Sequence, residues 1–213
     1  MKKILNWNDH FQVDMITRSL HDGEVVIGNS DTVLGLLADL SEKGFEALNK
    51  IKARSKDNPY LFLIESSNKL SFFSDVVLTP QLKNLIDNCW PGPVTLLFKA
   101  KENTPYYIQS KGNSVALRVP NHAGLLYLLS NFTGLFSTSA NKSGKPVVKC
   151  IKDLDPSILE EVSYIITNTG TDVECSREPS TILDCTGPQI KVLREGAYPI
   201  TELENFYGEK FIK

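Results

Sequence analysis

Two spacings of apolar residues divide this sequence into helices and strands. Apolar positions three and four residues apart indicate amphipathic helices, and short apolar runs bounded by turn residues indicate strands. On this basis we predict helices at residues 8–21, 41–53, 79–90, 124–132 and 156–162. The predicted strands are residues 24–27, 61–64, 94–98, 114–119, 135–139, 164–167, 181–184 and 191–194. In the first helix Phe11, Met15, Ile16 and Leu20 fall near one face.

The order of these elements predicts an α/β fold. Helices and strands interleave along the chain, which favours a twisted β-sheet with helices packed on it. Several connections near the C-terminus are too short for a helical crossover, so the sheet should be mixed rather than purely parallel. The length of 213 residues, with no linker-like stretch, suits one domain covering residues 1–213.

Composition and charge argue against several classes of function. The formal net charge is −2, whereas a protein that coats RNA or DNA usually carries a basic excess, because phosphate neutralisation supplies most of its affinity. The first residues lack the apolar core of a signal peptide, and no segment is long and apolar enough to span a membrane. We therefore expect a cytoplasmic protein with no membrane association.

The cysteines and histidines do not indicate a metal site. The four cysteines are Cys89, Cys150, Cys175 and Cys185. They form no CxxC pair, and without a secretory signal we expect free thiols. The three histidines are His10, His21 and His122. They have neither metal-ligand spacing nor cysteine neighbours, so a structural zinc site is not expected and the ligands of any other metal stay unassigned.

The predicted strand at residues 114–119 has one apolar face and one mixed face. Side chains alternate along a strand, so Ser114, Ala116 and Arg118 share the face opposite the apolar residues of this strand. Arg118 lies near the carboxyl end of the strand, where open α/β sheets bind ligands. The alternative is an exposed edge arginine beside a surface serine.

The segment at residues 136–144 places three short polar side chains two residues apart. In an extended backbone Ser137, Ser139 and Asn141 point the same way. Such a row is a poor core strand but a good wall for a polar ligand such as an adenylate or an amino acid. The alternative is a strand end that runs into a Ser, Asn and Gly turn.

Other polar clusters are weaker signals. Lys52 and Arg54 follow the second helix, where cations either bind an anion or simply interact with the helix dipole. Further clusters lie at residues 30–32, 180–181 and 194–196. The sequence contains neither GxxxxGK[ST] nor GxGxxG, and no histidine stands in a known catalytic signature. If the chain is an enzyme, its chemistry should rest on positioning and charge neutralisation.

Taken together, these segments resemble the threonylcarbamoyl-AMP synthase (TsaC/YrdC) family in its short, single-domain form. WPGPxT is intact at residues 90–95, and SAN-x-SG is intact at residues 139–144. The other blocks, which correspond to PTETVYGL, KxRP…NPL, vRvP and STI…lReG, are residues 29–36, 52–60, 117–120, and 180–182 with 193–196. The shared core covers roughly residues 8–200. The departures from the family pattern are Asn29, Leu34, Ser55 and Leu63, which replace a proline, a tyrosine, a proline and the histidine of some members.

The resemblance implies a YrdC-like sheet with a concave ligand-binding face. It also implies that ATP, L-threonine and bicarbonate give threonylcarbamoyl-AMP and pyrophosphate for the N6-threonylcarbamoyladenosine modification of tRNA, with Mg²⁺ as the accompanying ion. The implied ATP-binding residues are Lys52, Arg54, Asn58, Ser114, Ser139, Asn141 and Arg194, of which Lys52 and Arg54 are the catalytic pair. The implied threonine-binding residues are Thr32, Arg118, Ser137 and Ser180. The implied partners are downstream threonylcarbamoyl transferase proteins and tRNA.

Two other functions remain open from the sequence. One is a YrdC-like module that binds RNA on its concave face, which the net charge of −2 disfavours. The other is a paralogue that makes a different carbamoyl-adenylate, which the departures from the family pattern favour.

Overall fold

A computed structural model describes residues 3–53, 60–109, 112–169 and 178–212. The strands are β1 (Ile4–Asn6), β2 (Val26–Gly28), β3 (Gly35–Asp39), β4 (Leu61–Leu63), β5 (Val94–Lys99), β6 (Ser114–Arg118), β7 (Leu135–Ser139), β8 (Ile165–Thr167), β9 (Thr181–Asp184) and β10 (Lys191–Arg194). The helices are α1 (His10–His21), α2 (Glu42–Lys52), α3 (Leu70–Phe73), α4 (Pro80–Cys89), α5 (Ala123–Leu129), α6 (Pro156–Glu161) and α7 (Ile200–Tyr207). Single 3-10 turns cover Ser67–Lys69 and Ile151–Asp153. None of the helices in the described ranges is long and apolar enough to cross a membrane.

The described strands form one ten-stranded sheet in the order β1-β8-β2-β3-β7-β4-β6-β5-β9-β10. The sheet contains both parallel pairs, such as β4 with β6, and antiparallel pairs, such as β5 with β6. The prediction of a mixed α/β sheet is therefore confirmed.

One face of the sheet is fully covered and carries the main core. Large apolar residues of the central strands, such as Phe62, Leu117 and Phe136, point to this face and are almost completely buried. The helices that cover them contribute Phe45 and Leu48 from α2 together with residues of α3, α4, α6 and α7. Burial of this apolar surface is the main stabilising contribution to the fold.

The other face is covered only at one end. Helices α1 and α5 pack there over a smaller apolar cluster that includes Ile16, Leu20, Leu128 and Leu135. The remaining part of this face, over β3, β7, β4, β6 and β5, is not covered by either helix and forms the floor of a cleft. The uneven cover gives the concave face that the family resemblance implies.

The helices begin where their capping residues predict. Asp9 accepts a hydrogen bond from the backbone N–H of Gln12, and Ser41 and Thr79 accept equivalent bonds at the starts of α2 and α4. The apolar face expected for the first helix is only partly buried, because Phe11 is 70% exposed and Met15 is half-buried. The buried stripe of α1 is instead Val13, Ile16 and Leu20.

Several elements were not predicted from the sequence. β1, β3, α3 and α7 are absent from the expected set, and β3 lies within a segment read only as a motif. The expectation of four free thiols is also wrong, since Cys150 is disulfide-bonded while Cys89 and Cys185 are free. Sequence spacing does not reveal which cysteines a fold brings together, and Cys175 lies outside the described residues.

Phe136 tests the account of the main core. Its ring contacts those of Phe45, Tyr60 and Phe62 and is completely buried. We expect Phe136→Ala to lower the free energy of unfolding by about 3–5 kcal/mol, because it removes buried surface and leaves a cavity. The control Phe72→Ala, at a position 65% exposed, should change it by less than about 0.5 kcal/mol. Urea denaturation measures both, and equal losses would contradict the assignment of the core.

Candidate active site

The floor of the cleft combines small side chains with leucines such as Leu61 and Leu97. The cleft has a volume of about 390 Å³. Its floor includes Gly28, Gly35, Ala116, Ser137 and Ser139. Because side chains alternate along each strand, the neighbours of these residues in sequence point into the main core and can be large. The small residues therefore leave space between the leucines on one face of a sheet whose other face is well packed.

Strand register places the polar and apolar lining residues in rows. Leu61 lies between Ala116 and Ser137 on neighbouring strands. In the next row Leu63 pairs directly with Arg118. Residues in register on adjacent strands share a face and lie close together. The immediate neighbour of the Arg118 side chain on β4 is therefore a leucine.

Arg118 is held by three acceptors at the edge of the cleft. Its Nε donates to the carbonyl oxygen of Gly92 at 3.0 Å, and one terminal nitrogen donates to Thr32 Oγ1 at 2.7 Å. The other terminal nitrogen forms an ion pair with Asp31. Burial lowers the pKa of the Arg118 guanidinium, and the charge of Asp31 opposes that shift. Arg118 lines the cleft from this fixed position.

The WPGP turn provides one of these acceptors. Trp90 Nε1 donates to the carbonyl oxygen of Val94 at 2.7 Å, which ties the turn to the start of β5. The backbone N–H of Gly92 donates to the carbonyl oxygen of Val119 at 2.8 Å. A Cβ at Gly92 would lie 2.5 Å from the carbonyl oxygen of Cys89, so only glycine fits there. The motif therefore positions Arg118 through backbone contacts.

Arg194, at the end of β10, also lines the cleft. Its Nε and one terminal nitrogen donate to the carbonyl oxygen and the hydroxyl of Ser180, at 3.0 Å and 3.3 Å. Ser180 Oγ shares a hydrogen bond of 2.9 Å with Thr95 Oγ1. Burial lowers the pKa of Arg194, and the positive charge of Arg118 lowers it further. Both guanidinium groups line the same cleft, and an anion bound there would reduce the repulsion between the two positive charges.

Lys52 does not line the cleft, but its side chain contacts the residues of the cleft wall at the end of β7. Its ammonium donates to the carbonyl oxygens of Ser139 and Asn141 and to Asn141 Oδ1, with distances of 2.7 Å to Ser139 and 3.0 Å to Oδ1. Ser139 Oγ donates to the same Oδ1 atom. Lys52 and Asn141 are buried. The SAN-x-SG segment is therefore fixed from behind by the end of α2.

The structure brings together most of the predicted site residues that it describes. Those that line the cleft are Thr32, Arg118, Ser137, Ser139, Ser180 and Arg194. Lys52, Asn141 and Ser114 are buried but do not line it. Arg54 and Asn58 lie outside the described residues, as does Ser55. The sequence analysis missed Asp31 and Thr95 as site residues, although the run Ser30-Asp31-Thr32 at a strand exit was a signal for the first.

The departures from the family pattern have different positions. Asn29 Oδ1 accepts a buried hydrogen bond of 2.7 Å from Trp7 Nε1, so it joins the β2 exit to the chain that follows β1. Leu34 packs in the main core and does not line the cleft. Leu63 does line it, beside Arg118. Of the described departures, Asn29 and Leu34 therefore make contacts within the folded core, whereas Leu63 changes the surface of the cleft.

An open α/β sheet with one buried arginine, Arg118, and one exposed arginine, Arg194, lining the same cleft defines a class of protein that binds small anionic ligands. The family model of Sua5, YciO and YrdC, described as "Telomere recombination", matches residues 18–196. The chain therefore belongs to the Sua5/YciO/YrdC family, and the resemblance drawn from its motifs is confirmed.

Relatives and solved structures agree with this assignment. A putative threonylcarbamoyl-AMP synthase of Methanocaldococcus jannaschii is 28% identical over 193 residues, which cover 90% of this chain and 88% of that protein. The threonylcarbamoyl-AMP synthase of Blochmanniella floridana is 31% identical over 85% of this chain and 96% of that protein. The structure of Pyrococcus abyssi Sua5 complexed with L-threonine has a TM-score of 0.85 at 26% identity and covers all of this chain. This chain spans 62% of the length of that Sua5 chain.

Ala116 tests whether the cleft floor binds ligand. It lies between Leu97 and Leu61 on the floor. We expect Ala116→Leu to fill the cleft and to abolish ligand binding without introducing a charge. Ala123→Leu, at an exposed position at the start of α5, is the matched control and should bind normally. Calorimetric titration with ATP and with threonine measures both variants, and normal binding by the Ala116 variant would contradict the assignment of the floor.

Proposed function

We propose that this protein is an L-threonylcarbamoyladenylate synthase, a nucleotidyltransferase that converts ATP, L-threonine and bicarbonate into threonylcarbamoyl-AMP and pyrophosphate. The observation that carries the proposal is the pair Arg118 and Arg194, which line one cleft and are both hydrogen-bonded to neighbouring backbone carbonyls. The names of the M. jannaschii and B. floridana relatives support it.

The reaction requires several anions in one place. The amine of threonine and bicarbonate form a carbamate with loss of water, and a carbamate oxygen then attacks the α-phosphorus of ATP and displaces pyrophosphate. A carboxylate, a carbamate and a triphosphate repel one another, so positive groups that are already oriented lower the barrier most. Arg118 fits this requirement because its guanidinium is buried and already oriented by three acceptors. Arg194 is exposed and is oriented by its two contacts to Ser180.

Arg118 is the proposed anchor for the carboxylate of threonine. A guanidinium has five N–H groups, and the three acceptors described above use one on each nitrogen. One N–H remains on each terminal nitrogen, which is the number that a bidentate carboxylate accepts. Thr32, Ser137 and Ser180 line the same cleft and supply hydroxyl groups for the rest of the amino acid.

Arg194 and Ser139 are the proposed contacts for ATP. Val147 and Leu193 line the cleft mouth and are 38% and 48% exposed, which gives an apolar surface for a purine ring. Lys52 and Asn141 support Ser139 from behind. Direct ATP contacts by Arg54, Asn58 and Ser114 stay predictions from the family resemblance.

The side chains that the structure describes do not form a resident metal site. Within the described ranges no group of three His, Cys, Asp or Glu side chains could hold a metal ion. Magnesium commonly binds through substrate phosphates with few protein ligands. We therefore expect Mg²⁺ to arrive with ATP as part of the substrate. Transfer of the product to tRNA by partner transferases, and a cytosolic location, belong to the same proposal.

The reaction and the role of Arg118 can be tested together. We expect pyrophosphate release that requires both threonine and bicarbonate. Arg118→Lys keeps the charge but loses the planar fork, so it should weaken threonine binding roughly ten- to a hundredfold while ATP affinity changes much less. A pyrophosphate assay and calorimetry with each ligand give these values. Pyrophosphate release that ignores both co-substrates would refute the proposed reaction, and equal losses for both ligands would refute the proposed role of Arg118.

A second candidate is a paralogue that makes a different carbamoyl-adenylate. The observation that favours it is Leu63 directly beside Arg118, where some family members are expected to carry histidine. A hydrophobic wall discriminates poorly between amino acids of the same shape with and without a hydroxyl. The pyrophosphate assay with a panel of amino acids separates the two candidates, because the synthase proposed above should prefer threonine.

A further inference from the structure

The ion pair between Asp31 and Arg118 is buried beside the cleft. The two side chains are 9% and 4% exposed. Removing both charges from water carries a large desolvation penalty, and buried ion pairs often stabilise a protein no more than apolar residues of the same shape. Stability therefore does not explain why an acid stands next to the arginine.

The carboxylate of Asp31 also leaves one oxygen unsatisfied. Oδ1 accepts from Arg118, whereas Oδ2 is buried and has no hydrogen-bond partner among the residues that the structure describes. An unpaired buried acceptor is destabilising, and such groups are rare in native structures outside functional sites. The arrangement therefore favours a functional reason for Asp31.

The three acceptors around Arg118 fix both the plane and the rotation of its guanidinium. The Gly92 carbonyl is part of a rigid turn, and Thr32 Oγ1 is in turn bonded to Ser30 Oγ at 3.0 Å. Asp31 is the only charged acceptor of the three, and a charge-assisted hydrogen bond is the strongest of such contacts. Without it, one terminal nitrogen loses its anchor and the group can rotate about its remaining bonds.

We propose that Asp31 is the positioning residue of this site: it orients Arg118 so that the two remaining N–H groups meet the carboxylate of the amino-acid substrate. The inference rests on the proposed function for the identity of that substrate. Asp31 acts through Arg118: its carboxylate oxygen accepts a hydrogen bond at a fixed position, and its negative charge strengthens that bond.

Two substitutions separate the acceptor from the charge. Asp31→Asn keeps an oxygen that can accept from Arg118, whereas Asp31→Ala removes it. We expect Asp31→Ala to weaken threonine binding roughly ten- to a hundredfold, with little change in ATP affinity. Asp31→Asn should retain most of the threonine affinity that Asp31→Ala loses. Asp155→Ala, which removes the N-cap of α6 on the far side of the sheet, is the matched control and should lower thermal stability without changing threonine affinity.

A second measurement reports on Arg118 without any ligand. In ¹⁵N–¹H spectra of the arginine side chains, the Nε–H signal of Arg118 is identified by its absence from Arg118→Lys. We expect a dispersed signal in the parent protein and in Asp31→Asn, and a signal at the position of a freely rotating arginine in Asp31→Ala. The double variant Asp31→Ala/Arg118→Lys should bind threonine no worse than Arg118→Lys alone, because both changes act on one contact.

Other results would overturn the inference. An unchanged Arg118 signal in folded Asp31→Ala, or additive losses in the double variant, would show that Asp31 does not act through Arg118. Tighter threonine binding by both single variants would show that Asp31 competes with the substrate. If the parent protein binds no threonine, the proposed function fails, while the Arg118 signal still decides whether Asp31 positions the guanidinium.

Discussion

The two-residue alternation of side chains along a strand is the constraint on which this structure depends. Each central strand must place large apolar residues on the covered face, and the same alternation leaves its other residues on the second face. Phe136 is completely buried in the main core, while Ser137 and Ser139 of the same strand line the cleft. In β6, Leu117 packs in the core between Ala116 and Arg118, which both face the cleft. One face can therefore stabilise the fold while the other is free to bind ligands.

Ligand binding on the second face also requires that its charged side chains have defined orientations. Arg118 and Arg194 are held by backbone carbonyls and by neighbouring hydroxyls and a carboxylate. A group that is already oriented costs no reorganisation when charge develops nearby, and such electrostatic preorganisation is the largest contribution in many enzymes. Motifs that contribute no side chain to the cleft, such as the WPGP turn and the Lys52 contacts, serve this rigidity.

The sequence predicted the parts of the structure that periodicity and motif order determine. The mixed α/β sheet, the faces of β6 and the grouping of Thr32, Arg118, Ser137 and Ser180 follow from the alternation and from the family motifs. The sequence groups Phe11 with the apolar face of the first helix, but Phe11 is exposed. More than one set of apolar residues in this helix has helical spacing, and only tertiary packing determines that Val13, Ile16 and Leu20 are the buried set. The pairing of Asp31 with Arg118 joins residues 87 positions apart, which no local pattern reveals.

The central claim is that this cleft joins an amino-acid carbamate to AMP. Mass spectrometry of the product formed from ATP, threonine and ¹³C-labelled bicarbonate tests it most directly. The account predicts an adenylate that contains threonine and one labelled carbon, so that its mass rises by one unit relative to the product made with unlabelled bicarbonate. A threonine adenylate without the label would contradict it, since the carboxylate of threonine rather than a carbamate would then have attacked the phosphorus.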